Sequence, residues 1–117
     1  MFDISANGII TISRGDSFTL NVAIDIGEPL NSLLYELGND DKVYFGLMEP
    51  NQPFEHALVR KMYTKEDQTS DLDVVMNFVP EDTEFLMPGK YYYMVKLVRS
   101  DNSVDTIVSK TKFIIID

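Results

Sequence analysis

The stretch Lys90-Tyr91-Tyr92-Tyr93-Met94-Val95-Lys96-Leu97-Val98-Arg99, entered through Pro88-Gly89, constrains the fold more than any other part of the chain. It is rich in aromatic and β-branched residues and follows a proline-glycine turn, which predicts a long strand with side chains on two faces. No catalytic group sits in it. The pattern recurs along the chain, so the sequence predicts a small all-β domain that acts by contact rather than by chemistry.

Ile9 to Ser13 is a short apolar segment, broken by Arg14-Gly15-Asp16. From Ser17 to Asp25 the alternation is clearest. Phe18, Leu20, Val22 and Ile24 point one way and Thr19, Asn21, Ala23 and Asp25 the other, as in an antiparallel sheet with one wet face. Gly27 to Asp41 fits either a helix of one or two turns, on the spacing of Leu30, Leu33, Leu34 and Leu37, or a packed loop. Lys42 to Met48 is a strand with Val43, Phe45 and Leu47 inward, and Gly46 within it marks a bulge or a close contact. Ala57 to Thr64 and Leu72 to Val79 are further strands around a polar hairpin loop, Lys65 to Asp71. Pro80-Glu81-Asp82-Thr83-Glu84 is the entry to a single helical turn, with proline at a first helical position and acids at the positive helix end. Ser100 to Ser103 is a hairpin turn. Val104 to Ile116 is a last strand long enough to need a bend near Ser109 to Lys112. These make about seven strands with short connections. The expected fold is an immunoglobulin-like antiparallel β-sandwich with one or two short helical turns, a single domain over residues 1–117. A closed barrel is the alternative. The cysteine pair and core tryptophan of immunoglobulin domains are absent.

The chain has 117 residues, one domain by length. Its 44% hydrophobic and 25% charged residues match globular usage and argue against wholesale disorder. It has no cysteine, which removes disulfides, thiolate nucleophiles and cysteine-bound zinc. Net charge is −9, from 10 basic and 19 acidic residues. A nucleic-acid backbone requires clustered Lys and Arg. Along the sequence the nearest approach to a cluster is Arg60-Lys61, so nucleic acid is not an expected partner. The acidity favours solubility and suits a basic protein surface. The start lacks a basic region followed by an apolar run. The longest apolar run, Phe113 to Ile116, is far too short to span a bilayer. A soluble product made without cleavage is expected, with no membrane partner.

His56, the single histidine, has no cysteine or second histidine to complete a nucleophilic dyad or a zinc shell, and reads as a solvated loop residue. Arg14-Gly15-Asp16 matches an adhesion tripeptide, but a tight turn is the better reading, with glycine supplying the backbone angle and aspartate bonding locally. Asn39-Asp40-Asp41 and Asp101-Asn102-Ser103 lack the spacing of a calcium loop and read as solvated turns. No catalytic, cofactor-binding or metal-binding residues are expected. In a strand, Tyr92 faces away from Tyr91 and Tyr93, so only one side can form a flat platform. Unpaired strand edges are natural docking elements. The candidate edge is Val104 to Ile116, with Phe113, Ile114, Ile115 and Ile116 unusually apolar for a chain end; the alternative is a core strand. Met1-Phe2-Asp3-Ile4 is a candidate second contact arm, through Phe2.

Taken in order, "ISRGDSFTLNVAI", "DKVYFGLMEPNQPFEHALVRK", "FVPEDTEFLMPGKYYYMVKLV" and "SVDTIVSKTKFIIID" resemble small β-sandwich structural proteins of tailed phages and prophages of gut Firmicutes. More loosely they resemble the amino-terminal domain of upper baseplate proteins of phages of Gram-positive bacteria. The most specific parts are Arg14-Gly15-Asp16 with its following strand, Val43-Tyr44-Phe45-Gly46, Pro80-Glu81-Asp82-Thr83 and Leu86-Met87-Pro88-Gly89-Lys90-Tyr91. The resemblance implies a non-enzymatic virion component, an adaptor, decoration or baseplate-associated domain, made in the bacterial host cytoplasm and used in multiple copies. Its implied partners are other virion proteins or copies of itself. The baseplate proteins continue into a long fibre whereas this chain stops at Asp117, which implies a free-standing accessory piece. The rival expectation is a carbohydrate-binding module that stacks Tyr92 on host surface glycans.

Overall fold

A computed structural model describes all 117 residues. About half of them lie in strands. There is no α-helix, only three isolated 3-10 turns at Phe54–His56, Lys65–Asp67 and Pro80–Asp82. The strands are β1 (Phe2–Ile4), β2 (Ile10–Ser13), β3 (Phe18–Ala23), β4 (Lys42–Met48), β5 (Val59–Tyr63), β6 (Asp73–Phe78), β7 (Gly89–Val98) and β8 (Val104–Ile116). Six form one sheet in the order β1-β2-β8-β7-β4-β5, and β3 pairs with β6 in a second, smaller sheet.

The large sheet is mixed, which corrects the expectation of a purely antiparallel fold. β2 runs parallel to β8, with Ile10 opposite Phe113 and Ser13 opposite Ile116. A parallel pair needs a long crossover, and here nearly the whole chain is that crossover, joining its first and last thirteen or so residues. β1 is an eighth strand, antiparallel to β2 through Phe2–Ile12 and Ile4–Ile10.

Alternation builds the core as the sequence predicts. Tyr91, Tyr93, Val95 and Leu97 of β7 are buried, as are Val43, Phe45 and Leu47 of β4. Phe18, Leu20, Val74, Met76 and Phe78 of the small sheet join the same cluster. Phe45 meets Phe78 edge-on at 4.9 Å between ring centroids, and Phe18 meets Phe113 at 6.1 Å, so the inner faces of the two sheets touch directly. Lys61 ties β5 to the small sheet. Its ammonium donates to the Asn77 carbonyl at 2.6 Å and to Asp82 at 2.8 Å, above the Phe78 ring.

Gly27 to Asp41 is a bridged loop and not a helix. The Asp25 carboxylate accepts from the Gly27 and Leu33 amides at 2.9 and 3.0 Å and from the Ser32 hydroxyl at 2.8 Å. These bonds commit the amides to a side chain instead of a helical ladder, and they hold the Asp25 carboxyl below its usual range. A helix this short would be marginal in any case. Leu37 alone of the four leucines reaches the core, while Leu30 at the tip is fully exposed.

Gly46 is a close contact and not a bulge. A Cβ there would lie 2.7 Å from the Phe54 ring, so glycine lets the Phe54 ring close onto β4. The expected bend in β8 is present as register shifts opposite Tyr93 to Lys96. Twelve residues of β8, Val104 to Ile115, pair with ten of β7, so β8 carries two extra residues, as β-bulges do.

Candidate functional site: the outer face of the large sheet

Strand pairing assembles a surface from residues far apart in sequence. The outward positions of β4, β5 and β7 include Lys42, Tyr44, Arg60, Met62, Lys90, Tyr92, Met94 and Lys96. Cross-strand pairs such as Tyr44–Lys96, Gly46–Arg60, Tyr92–Lys112 and Lys90–Ile114 set them side by side. Lys110 reaches the same face from the bulged part of β8, with its ammonium 4.9 Å from the Tyr92 ring centre. Phe54, seated on Gly46, takes Lys96 at 4.9 Å and Arg60 at 5.7 Å.

Six of the chain's ten cations therefore share one face: Lys42, Arg60, Lys90, Lys96, Lys110 and Lys112. No Asp or Glu stands at an outward position of β4, β5, β7 or β8; Asp105 of β8 is paired with inward Leu97 and bridged to Arg99. None of the six makes an ion pair. Among the other four, Arg14 is bridged to Asp117, Lys61 to Asp82 and Arg99 to Asp105. The face is basic and aromatic, and its six cations stand outside the ion pairs of the molecule; Asp40 lies at its rim, lining a depression with Lys42 and Tyr44. In sequence the basic residues look dispersed. The signal that could have found the face is the period-2 alternation carried past the core positions, since the residues between Tyr91, Tyr93, Val95 and Leu97 must share the other side.

Tyr92 belongs to this face and is half-buried, with Lys110 over its ring. Phe113 and Ile115 do not form a contact surface. Both are 1% exposed and sit in the core, because that half of β8 has a strand on each side, β2 and β7. Ile114 is half-buried on the outer face, and Ile116 is exposed at the strand end. The open edge of β8 is its other half, before Phe113, so the edge expectation holds for Val104 to Lys112 and fails for the apolar run. Phe2 is exposed on β1, stacks on Phe18 at 5.2 Å and, with Ile4, lines an apolar groove of about 480 Å³ beside β3.

The other candidates resolve into local structure. Arg14-Gly15-Asp16 is a turn, with Gly15 at φ 81°. The Asp16 amide donates to the Ser13 carbonyl at 3.1 Å and its carboxylate pairs with the Met1 amino group. His56 is exposed in a 3-10 turn, 3.1 Å from the Gln52 amide oxygen. Asp41 is buried and accepts from the Tyr35 hydroxyl at 2.6 Å and from the Gly38 and Ser100 amides at 2.7 and 3.0 Å. Burial pushes its carboxyl up, but these bonds outweigh burial and leave it below the usual range. Asp101 accepts from the Ser103 amide at 2.9 Å. No helix is long and apolar enough to cross a membrane. No family model, curated protein or solved structure matches the chain.

Proposed function

We propose that this protein is a structural component of a phage or prophage particle, an adaptor, decoration or baseplate-associated piece that works by protein–protein contact and not by catalysis. The observation that carries the contact reading is the outer face of the large sheet. Six cations interleaved with Tyr44, Phe54 and Tyr92 stand there without a single ion pair, in a chain of net charge −9. Aromatic residues and methionine, here Tyr44, Phe54, Tyr92, Met62 and Met94, are enriched where proteins dock, and complementary charge steers such encounters. The particle setting rests on the likeness of the Arg14-Gly15-Asp16 turn, the Pro80-Glu81-Asp82-Thr83 turn and the Leu86 to Tyr91 strand entry to phage structural proteins.

We read the fold as an immunoglobulin-like β-sandwich. The order β8-β7-β4-β5 opposite β3-β6 corresponds to strands G, F, C and C′ opposite B and E of that architecture. A second support is Tyr91, at the start of β7, whose hydroxyl donates to the Met87 carbonyl at 2.6 Å. This is the geometry of the tyrosine corner, in which a tyrosine near the start of strand F bonds back to the preceding backbone. Two residues on, where antibody domains carry the second disulfide cysteine, Tyr93 fills the space with its ring, 5.8 Å from Phe45 and 6.1 Å from Phe113.

Mass spectrometry of particles purified after induction of the source strain tests the setting. The protein is expected in intact particles at a fixed ratio to a major structural protein. Its absence from intact particles, with the protein present in the lysate, would overturn the reading.

A further inference from the structure

The small sheet has two edges, and the molecule closes only one of them. At the β6 edge the Asp73 carbonyl accepts from the Thr69 amide at 2.8 Å, and the Asn77 carbonyl accepts from the Lys61 ammonium at 2.6 Å. The β3 edge has no such closure. Ile24 donates to the Leu72 carbonyl at 3.5 Å, and the register runs evenly from Phe18–Phe78 to Ala23–Asp73. Bonded pairs alternate with non-bonded pairs along an antiparallel ladder. Phe18, Leu20 and Val22 therefore bond to β6, while Thr19, Asn21 and Ala23 turn their N–H and C=O groups the other way. The Ala23 carbonyl accepts from the Asp25 amide; the remaining groups have no main-chain partner. β3 also lacks the usual devices that blunt an edge: a charged side chain, a proline or a bulge. The open half of β8, by contrast, carries Lys110, Lys112 and two extra residues.

The apolar groove of about 480 Å³ runs along this open edge. Five consecutive residues of β3, Thr19 to Ala23, line it. Successive side chains of a strand point to opposite faces, so only a groove at the strand's edge meets all five. Its other walls are Phe2, Ile4, Tyr93 and Val108, and no charged residue lines it. In the immunoglobulin-like order strand A lies beside B. Here the residues ahead of β3 pair as β1 and β2 with the large sheet, which leaves A's place beside β3 empty.

We infer that the groove takes up an extended segment of another protein, which pairs with β3 as an added strand and sets apolar side chains into the groove at alternate positions. Main-chain bonds to Thr19, Asn21 and Ala23 hold such a strand, and the apolar walls select its side chains, the two components of strand addition. The uncharged lining keeps charged residues out of the inward positions, since a charge there would lose water without gaining a partner. A second copy's β3 does not meet the requirement. Its inward Phe18 and Leu20 are already buried in its own core, at 7% and 5% exposed. The site shares no residue with the basic outer face. It does not depend on the particle setting, which mass spectrometry of particles decides separately.

The test selects a yeast-displayed library of random peptides, about ten residues long as the longer strands are, on the full chain. Enriched peptides are expected to carry apolar residues at alternate positions and no charge among them. For a synthetic copy of one such peptide, N-methylation of one alternate set of amides is expected to weaken binding by about tenfold or more, and methylation of the other set to be tolerated. The same loss is expected from Asn21→Pro, which removes an N–H that β6 does not use, and from Ile4→Lys, which puts a charge in the groove. Circular dichroism melts verify that both variants fold, and the methylated peptides test the site with the chain unchanged. Lys90→Glu with Lys112→Glu is expected to bind like wild type. By NMR the Thr19 and Asn21 amides are expected to exchange freely in the chain alone and about tenfold or more slowly in the complex. Failure to enrich any peptide, peptides without alternation, binding indifferent to methylation or to Ile4→Lys, or Thr19 and Asn21 amides already protected in the free chain would overturn the inference. So would acidic peptides whose binding needs Lys90 and Lys112, which would assign docking to the basic face. A chain that dimerises in sedimentation unless Asn21→Pro is present would also overturn it, by making a second copy the occupant.

Discussion

Tyr63 carries its hydroxyl into the core without a hydrogen-bond partner, and burial pushes its pKa up to about 12, with Asp82 and Asp67 adding to the shift. Tyr93 and Tyr91 are also raised by burial, but their hydroxyls are satisfied, donating to the Gly8 and Met87 carbonyls at 2.6 Å each. A buried unsatisfied polar group costs about 1–3 kcal/mol. Tyr63→Phe removes that group without changing the ring, so it is expected to raise stability by about 1 kcal/mol in denaturant titration. The sign of the pH dependence follows from the same residue. Its pKa is higher folded than unfolded, so its neutral form favours the fold. That contribution is fully present below the unfolded value of about 10 and is lost as pH rises toward about 12. Melting temperature is therefore expected to fall through this window, and Tyr63→Phe to fall less. A variant as alkali-sensitive as wild type and no more stable would contradict the assignment.

The strand carrying Gly46 shows how an element can be read in part. The sequence marks Gly46 as a bulge or a close contact, and only the packed structure decides, because the ring that rests on it arrives from a turn eight residues later. Gly46→Ala would drive a methyl group into Phe54. The expected cost is about 1–3 kcal/mol, as for overpacking of a tight contact, with loss of the cation contacts to Arg60 and Lys96. A melt and the chemical shifts of the Phe54 ring measure both, and an unperturbed ring would contradict the contact. β8 is legible as a long bent strand, while its apolar end stays open in sequence between an edge and a core strand. Its composition is the same whether Phe113 and Ile115 face a partner or the core, and what decides is β2 pairing alongside, a contact about a hundred residues away. The leucines of Gly27 to Asp41 suit either a helix or a packed loop, and the loop forms because Asp25 claims the amides that a helix would need.

Across the whole molecule the β class and the inward positions were legible, because burial on one side of a strand imposes a period of two. The parallel closure of β2 on β8 was not, since local pattern says nothing about which strands become neighbours. The basic face is not legible in sequence for the same reason: its cations come from four strands, and pairing alone makes them adjacent. The central claim is that this face is covered when the protein is at work. Acetylation of lysines, read by mass spectrometry on the free chain and on purified particles, tests it most directly. Lys90, Lys96, Lys110 and Lys112 are expected to react in the free chain and to be protected in the particle, with Lys65 reactive in both. Face lysines that react equally in both states, with Lys65 unchanged, would contradict the account.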